Sequence, residues 1–387
     1  MNTTKNLDKE YIAASYGRFD VLFEKGEGSL LFDENGKRYI DLGSGIAVNT
    51  FGLCDKVWQS AVSEQASKLQ HVSNLYYTSP MAQLAQMLCE KTGMKKVFFS
   101  NSGAEANECA IKCARKYSFD KYGEGRNVII TLKQSFHGRT ITTLSATGQD
   151  TFHTTFGPFT DGFRYAEPND IEDMKALVDD KVCGIMIELI QGEGGVNVLK
   201  PDYVKQLEAL CREKDIMLII DEVQTGNGRT GALYCYMNYG ISPDIVSTAK
   251  GLAGGLPMGA TMMGEKTKDT ITAGSHGSTF GGNPVCAAGA CSIISRIDDK
   301  LMADVKRKSE YIINALSGAK GVKSITGLGF MLGVETEKPA KDVVVKCIER
   351  GVVPLTAKNK VRLLPALNIP DELLTEAITV LKQVIEE

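Results

Sequence analysis

In the middle of the chain, short apolar runs alternate with longer amphipathic stretches. Residues 95–99, 128–132, 183–188, 217–220 and 245–249 are the apolar runs. They lack the in/out alternation of a half-exposed sheet, which predicts strands covered on both faces. Residues 105–117, with alanines and cysteines along one side, and residues 201–214 read as helices. A turn-rich segment, Gln191-Gly192-Glu193-Gly194-Gly195, follows the third run. Strands and helices in alternation predict an α/β fold with a mostly parallel sheet.

The ends of the chain carry another pattern. Residues 21–42 read as an antiparallel hairpin that turns at Asp33-Glu34-Asn35-Gly36. From about Asp298 a long helix is expected, then one glycine-rich strand over 327–335. A further helix, a strand over 361–364 and a final helix from Asp371 complete the chain. The expected division is a large α/β domain at 45–290 and a small α+β domain assembled from 1–44 and 291–387.

Composition narrows the picture. The 387 residues are 43% hydrophobic and 24% charged, which is enough for a core and excludes disorder, collagen and coiled coil. A net charge of -3 without a basic run argues against nucleic acid or an anionic membrane as partner. Apolar runs fall far short of the ~20 residues of a membrane helix. The polar first ten residues do not resemble a signal peptide. Ten cysteines without a C-x-x-C pair, in a chain long enough not to need stapling, predict reduced thiols and a cytoplasmic protein. Four histidines, none at zinc-like spacing to cysteine, predict no metal.

In open α/β sheets ligands bind beyond the carboxyl ends of the strands. Four such ends stand out. Residues 95–99 are followed by Ser100-Asn101-Ser102-Gly103-Ala104-Glu105-Ala106-Asn107, whose small residues suit a phosphate at a helix start. A plain cap by Ser102 with Glu105 as capping box is the other reading. Asp221 ends a buried run, where a carboxylate needs a partner. A metal, a cationic ring nitrogen or a local cap would each serve. Lys250 ends another apolar run, where desolvation would make its amine nucleophilic, unless the side chain snorkels to water. Phe136-His137-Gly138-Arg139-Thr140 offers a flat ring and a guanidinium that can hold a carboxylate; a core Phe136 and a solvated Arg139 are the alternative. Taken together, a phosphate turn, an aromatic ring, a strand-end carboxylate and a buried lysine are the parts that hold pyridoxal phosphate.

Further motifs agree. Asp221-Glu222-Val223-Gln224-Thr225-Gly226, then Gly228-Arg229-Thr230-Gly231 and Lys250, form one constellation. Ser135-Phe136-His137-Gly138-Arg139-Thr140 and His276-Gly277-Ser278-Thr279-Phe280-Gly281-Gly282-Asn283-Pro284 form others. From about Tyr16 to its end the chain resembles the class-III, ornithine-type aminotransferases. Tyr16-Gly17-Arg18-Phe19-Asp20-Val21 and Gly45-Ile46-Ala47-Val48-Asn49 are in the style of the acetylornithine-using branch, which serves arginine biosynthesis. The resemblance implies a fold-type I pyridoxal 5′-phosphate transferase, homodimeric with shared active sites, with an acylated amino donor and 2-oxoglutarate as substrates. Succinylornithine, ornithine and 4-aminobutyrate are the competing donors. It further implies roles. Gly103 and Ala104 would hold the phosphate, with Thr279 of the neighbouring subunit; Phe136 would stack on the ring. Asp221 would pair with the ring nitrogen and Gln224 with the ring hydroxyl. Lys250 would bond the cofactor aldehyde and move the proton. Arg139 would hold the donor's α-carboxylate, and Val48, Asn49 and Ser278 would line the substrate pocket. Arg362 would take the α-carboxylate of glutamate, and Glu193 would be the switch that masks it; a surface residue of a glycine turn is the alternative for Glu193. One segment departs from the family: Gly52-Leu53-Cys54-Asp55-Lys56 stands where relatives commonly have Gly-His-x-His-Pro.

Overall fold

All five residues of the strand Met217–Asp221 are buried, and Val182–Ile187 and Val128–Leu132 are buried throughout. Each fully buried Leu or Ile in them contributes about 1.5–3 kcal/mol of hydrophobic stabilisation. In the computed structural model, which describes residues 3–387, they lie inside one seven-stranded sheet. Its order is Lys96–Ser100, Gly259–Met263, Ile245–Thr248, Met217–Asp221, Val182–Ile187, Val128–Leu132 and Phe163–Ala166. Gly259–Met263 runs antiparallel to both neighbours, and the other pairings are parallel. The mostly parallel α/β architecture read from the sequence is therefore present. The register sets Ile220 beside Ile187 and Asp221 beside Ser247. As a result Glu188, Asp221 and the loop to Lys250 leave the sheet at one carboxyl edge.

The helix Gly103–Tyr122 covers the sheet with Ala106, Cys109, Ala110, Cys113 and Ala114, all fully buried. Small side chains at helical spacing let the helix lie close against the strands, so its first turn sits at that same edge.

The ends of the chain meet. Phe23–Glu27, Leu30–Asp33 and Arg38–Asp41 form a meander, and Val352–Val353 adds a parallel fourth strand beside Arg38–Asp41. The single hairpin expected over 21–42 is thus three strands. The second reversal falls at Gly28, whose φ of +57° lies in the left-handed region. The single glycine-rich strand expected over 327–335 is likewise a correction. Val322–Leu328 and Met331–Thr336 form a hairpin that reverses at Gly329 and continues into a sheet with Lys360–Leu363 and Leu355–Ala357. Gly329 serves the turn, while Gly327 and Gly333 lie within the paired strands. Helices at Thr3–Tyr11 and Lys56–Lys68 escape the apolar pattern because neither buries a residue. Met1 and Asn2, the start of the expected 1–44 segment, lie outside the described residues.

The segment that departs from the family has a local explanation. Asp55 caps Lys56–Lys68 by accepting from Trp58 N at 2.9 Å. Both of its oxygens also accept from the Arg296 guanidinium, at 2.8 and 3.1 Å, and that guanidinium lies 4.0 Å from the Phe51 ring centroid. The cap and bidentate pair anchor the helix without histidine or proline.

Gly327 combines a φ of +126° with a position where a Cβ would sit 1.9 Å from Met331 O. Gly327→Ala should lower the unfolding free energy by more than ~2 kcal/mol. The expected reading is a lower urea midpoint with an unchanged slope.

Candidate active site

A cavity of about 440 Å³ opens at the carboxyl edge of the large sheet. One wall is the turn into Gly103–Tyr122. Ser102 Oγ accepts from Glu105 N at 3.2 Å and donates to Glu105 Oε2 at 2.9 Å, and Ala106 N donates to Ser102 O. The capping box is therefore real, but it serves only part of the helix end. Among the described residues the N–H groups of Gly103 and Ala104 have no acceptor, and both residues line the cavity. Two unspent amides at the positive end of a 20-residue helix make an anion seat. A Cβ on Gly103 would press to 2.7 Å from a Val223 methyl. The cap thus forms and still leaves the Gly103 and Ala104 amides without an acceptor among the described residues.

Asp221 lies deeper, only 3% exposed. Its Oδ2 accepts from Asn107 Nδ2 at 2.7 Å and His137 Nδ1 at 2.8 Å, and its Oδ1 accepts from Val223 N at 3.0 Å. Asn107 also donates to His137 O at 2.7 Å, which locks the three groups together. Three donors offset the desolvation of the carboxylate, which stays aimed at the cavity. Lys250 stands opposite, with an unusual left-handed φ of +45°. Burial lowers its pKa; the Glu193 carboxylate opposes that and Arg362 adds to it. A lowered pKa leaves more of the amine neutral and nucleophilic. Among the described residues no hydrogen bond or ion pair holds its Nζ.

The third group is a buried arginine with a partner. Arg362 Nη1 donates to Glu193 Oε1 at 2.6 Å and Gln224 Oε1 at 3.0 Å, while Gln224 Nε2 donates to Glu193 Oε1 at 3.3 Å. The Arg362 side chain is 4% exposed, and that of Glu193 34%. Burial would raise the Glu193 carboxyl, but the Arg362 guanidinium beside it holds it below its usual range.

Val48, Gly103, Ala104, Phe136, Arg139, Glu193, Asp221, Gln224 and Lys250 all line the cavity. Arg362 stands behind Glu193 and Gln224. Asn49, Ser278 and Thr279 are not among the lining residues; Ser278 Oγ accepts from Asn101 Nδ2 at 3.1 Å, and Thr279 is exposed.

The sequence reading passed over His137, Asn107 and Glu188 as site residues. Glu188 accepts from Phe136 N at 2.8 Å and Gly192 N at 3.2 Å, so it ties the ring-bearing loop to the turn that carries Glu193. Burial raises its pKa, His137 opposes that and Asp221 adds to it. Its signal was present: like Asp221, it is a carboxylate at the end of an apolar run. Glu222 is a different case. It is fully buried outside the cavity and accepts from Thr225 Oγ1 at 2.5 Å and Tyr236 N at 2.7 Å.

Residues 11–385 match the family model for aminotransferase class-III. The chain belongs to the class-III aminotransferases. Class-III aminotransferases are pyridoxal-phosphate enzymes, and this one is 50% identical to the acetylornithine aminotransferase of Haemophilus ducreyi, over 99% of this chain and 98% of the relative. It is 44% identical to the acetylornithine aminotransferase of Caldanaerobacter subterraneus, over 98% of each. Among solved structures, the ornithine aminotransferase of Toxoplasma gondii superposes with a TM-score of 0.94 at 32% identity, covering 99% of this chain and 94% of that one. The N-acetylornithine aminotransferase of Stenotrophomonas maltophilia gives 0.85 at 33% identity, covering 98% of each. Among the described residues of this aminotransferase no helix is long and apolar enough to cross a membrane.

Burial pushes the Glu222 carboxyl from its ordinary 4.5 up to about 7. Its folded form therefore binds a proton that the unfolded form gives up. The stability it contributes is complete below pH 4.5 and is lost as pH rises through about 7. Glu222→Gln should flatten that decline, read as a smaller difference between urea midpoints at acid and mildly alkaline pH than in the wild type.

Proposed function

We propose that this aminotransferase moves the δ-amino group of N2-acetyl-L-ornithine to 2-oxoglutarate, giving N-acetyl-L-glutamate 5-semialdehyde and L-glutamate. The cavity's donor set fits pyridoxal phosphate: two unspent amides, a three-fold-held carboxylate and a lysine without a partner among the described residues. The cofactor, when bound, supplies an aldehyde for the amino group and a cationic ring that takes up the electron pair of the broken C–H bond. In this reading the Gly103 and Ala104 amides hold its phosphate, with Thr279 supplied by a second copy of the chain in a homodimer. Phe136 packs on the ring, Gln224 meets its hydroxyl, and Asp221 keeps its nitrogen protonated. Lys250 Nζ takes the proton from Cδ of the donor and hands it on.

The observation that carries the reading is the contrast between two arginines. Among the described residues Arg139 stands at the cavity without an anionic partner, and Arg362 is closed by Glu193 at 2.6 Å. Acetylornithine presents an amine distant from its single carboxylate. That carboxylate goes to Arg139, with Val48, Asn49 and Ser278 about the rest of the donor, and the Glu193–Arg362 pair stays shut. Glutamate brings a carboxylate beside the reacting amine, which replaces Glu193 on Arg362. One ion pair is exchanged for another, and the more exposed Glu193 can swing to water while Arg362 stays buried. The ornithine aminotransferases among the structural neighbours give the second reading, ornithine as donor.

Steady-state kcat/KM with acetylornithine, ornithine and 4-aminobutyrate, each against 2-oxoglutarate, should be highest for acetylornithine. Preference for either of the others overturns the substrate assignment. Glu193→Ala should depress the acetylornithine half-reaction far more than the glutamate half-reaction, because it leaves Arg362 charged and open; equal losses count against the switch. Removing one partner of a buried ion pair costs ~3–5 kcal/mol. Asp221→Ala should therefore lose about two to four decades of turnover at ~1.4 kcal/mol each, and near-normal turnover would refute its role.

A further inference from the structure

Arg139 is held in an unusual way for a cation at the mouth of a cavity. Among the described residues its guanidinium has no carboxylate partner and no hydrogen-bond acceptor; its contacts are aromatic. Its Cζ lies 4.4 Å from the Phe152 ring centroid and 5.3 Å from that of Phe136. The two rings meet edge to face, with centroids 5.9 Å apart and planes at 66°. Phe152 closes the short helical turn Asp150–Phe152, stays partly exposed and takes no part in the hydrophobic core. Core packing therefore does not account for a large ring at this position.

An aromatic face attracts a guanidinium without neutralising it. A carboxylate in the same place would consume the charge and two of the five N–H donors. The ring fixes the plane of the fork and leaves its donors for a ligand, and a pre-placed fork loses less freedom when it binds a carboxylate.

We infer that Phe152 is a specificity-determining positioning residue: it seats Arg139 so that the site selects amino donors bearing a carboxylate distant from the reacting amine. This rests on the assignment of Arg139 to the donor carboxylate. Phe136 cannot provide the seat alone, because its ring is committed to the cofactor and lies farther from Arg139. Among the described residues the ring contacts of Phe152 are to the Arg139 guanidinium and the edge of Phe136, so its effect on the donor passes through Arg139.

The test compares N2-acetyl-L-ornithine with N-acetylputrescine, which has the same amine and amide but no carboxylate. Cation–π attraction of this strength predicts that Phe152→Leu lowers kcat/KM for acetylornithine about 5- to 30-fold, mainly through KM. The value for acetylputrescine should stay unchanged, and Phe152→Tyr, which keeps the ring, should restore the wild-type ratio. The Kd of the unreactive dicarboxylate glutarate, read by calorimetry, should rise in Phe152→Leu. In an Arg139→Met background Phe152→Leu should add no further loss. Equal losses on both donors, no loss on acetylornithine, or a full loss in the Arg139→Met background would overturn the inference. If Arg139→Met itself leaves the ratio of the two donors unchanged, the carboxylate assignment of Arg139 fails. If Arg139→Met collapses that ratio while Phe152→Leu leaves it intact, only the role of Phe152 fails.

Discussion

A carboxylate held almost wholly out of water organises this site. Asp221 survives burial because three donors converge on it: an asparagine from the helix Gly103–Tyr122, a histidine from the loop after Val128–Leu132, two strands away in the sheet, and a backbone amide of its own turn. Each donor belongs to a different wall of the cavity. Satisfying one charge thereby fixes the relative positions of the anion seat, the ring-bearing loop and the strand edge. The groups most costly to leave unpaired are those that most constrain their surroundings.

A second constraint is the handling of positive charge. Two cations, Lys250 and Arg139, line one small cavity and a third, Arg362, stands behind its wall; each is treated differently. Lys250 is desolvated toward neutrality, Arg362 is paired with the more exposed Glu193 carboxylate, and Arg139 lies against aromatic rings that leave its charge intact. A single neutral pocket could not serve both a donor with one distant carboxylate and a donor with two. Glu188 supports this arrangement, since its two oxygens join the Phe136 amide to the Gly192 amide beside Glu193.

The segment at Gly52-Leu53-Cys54-Asp55-Lys56 shows how a departure from family pattern is absorbed. The capping role passes to Asp55, and Arg296, 241 residues away, supplies the charge partner. Helix capping depends on an acceptor at the right place and not on one residue type, so the frame tolerates the change.

Much of this protein was legible one residue at a time. Unbroken apolar runs made the parallel strands unavoidable, because such runs can only be covered on both faces, and their ends located Asp221, Lys250, Phe136 and the Gly103-Ala104 turn. Local pattern misled where glycine serves two ends. At Gly28 and around Gly329 the backbone reverses, and composition alone does not separate a glycine-rich strand from a hairpin. What only the tertiary structure decided are the meetings of distant residues. Arg362 reaches Glu193 across 169 residues of chain and Gln224 across 138, and His137 finds Asp221 across 84. Sequence periodicity reports which face of an element is buried, but ion pairs and hydrogen bonds depend on which elements become neighbours, and that is set by the order of strands in the sheet.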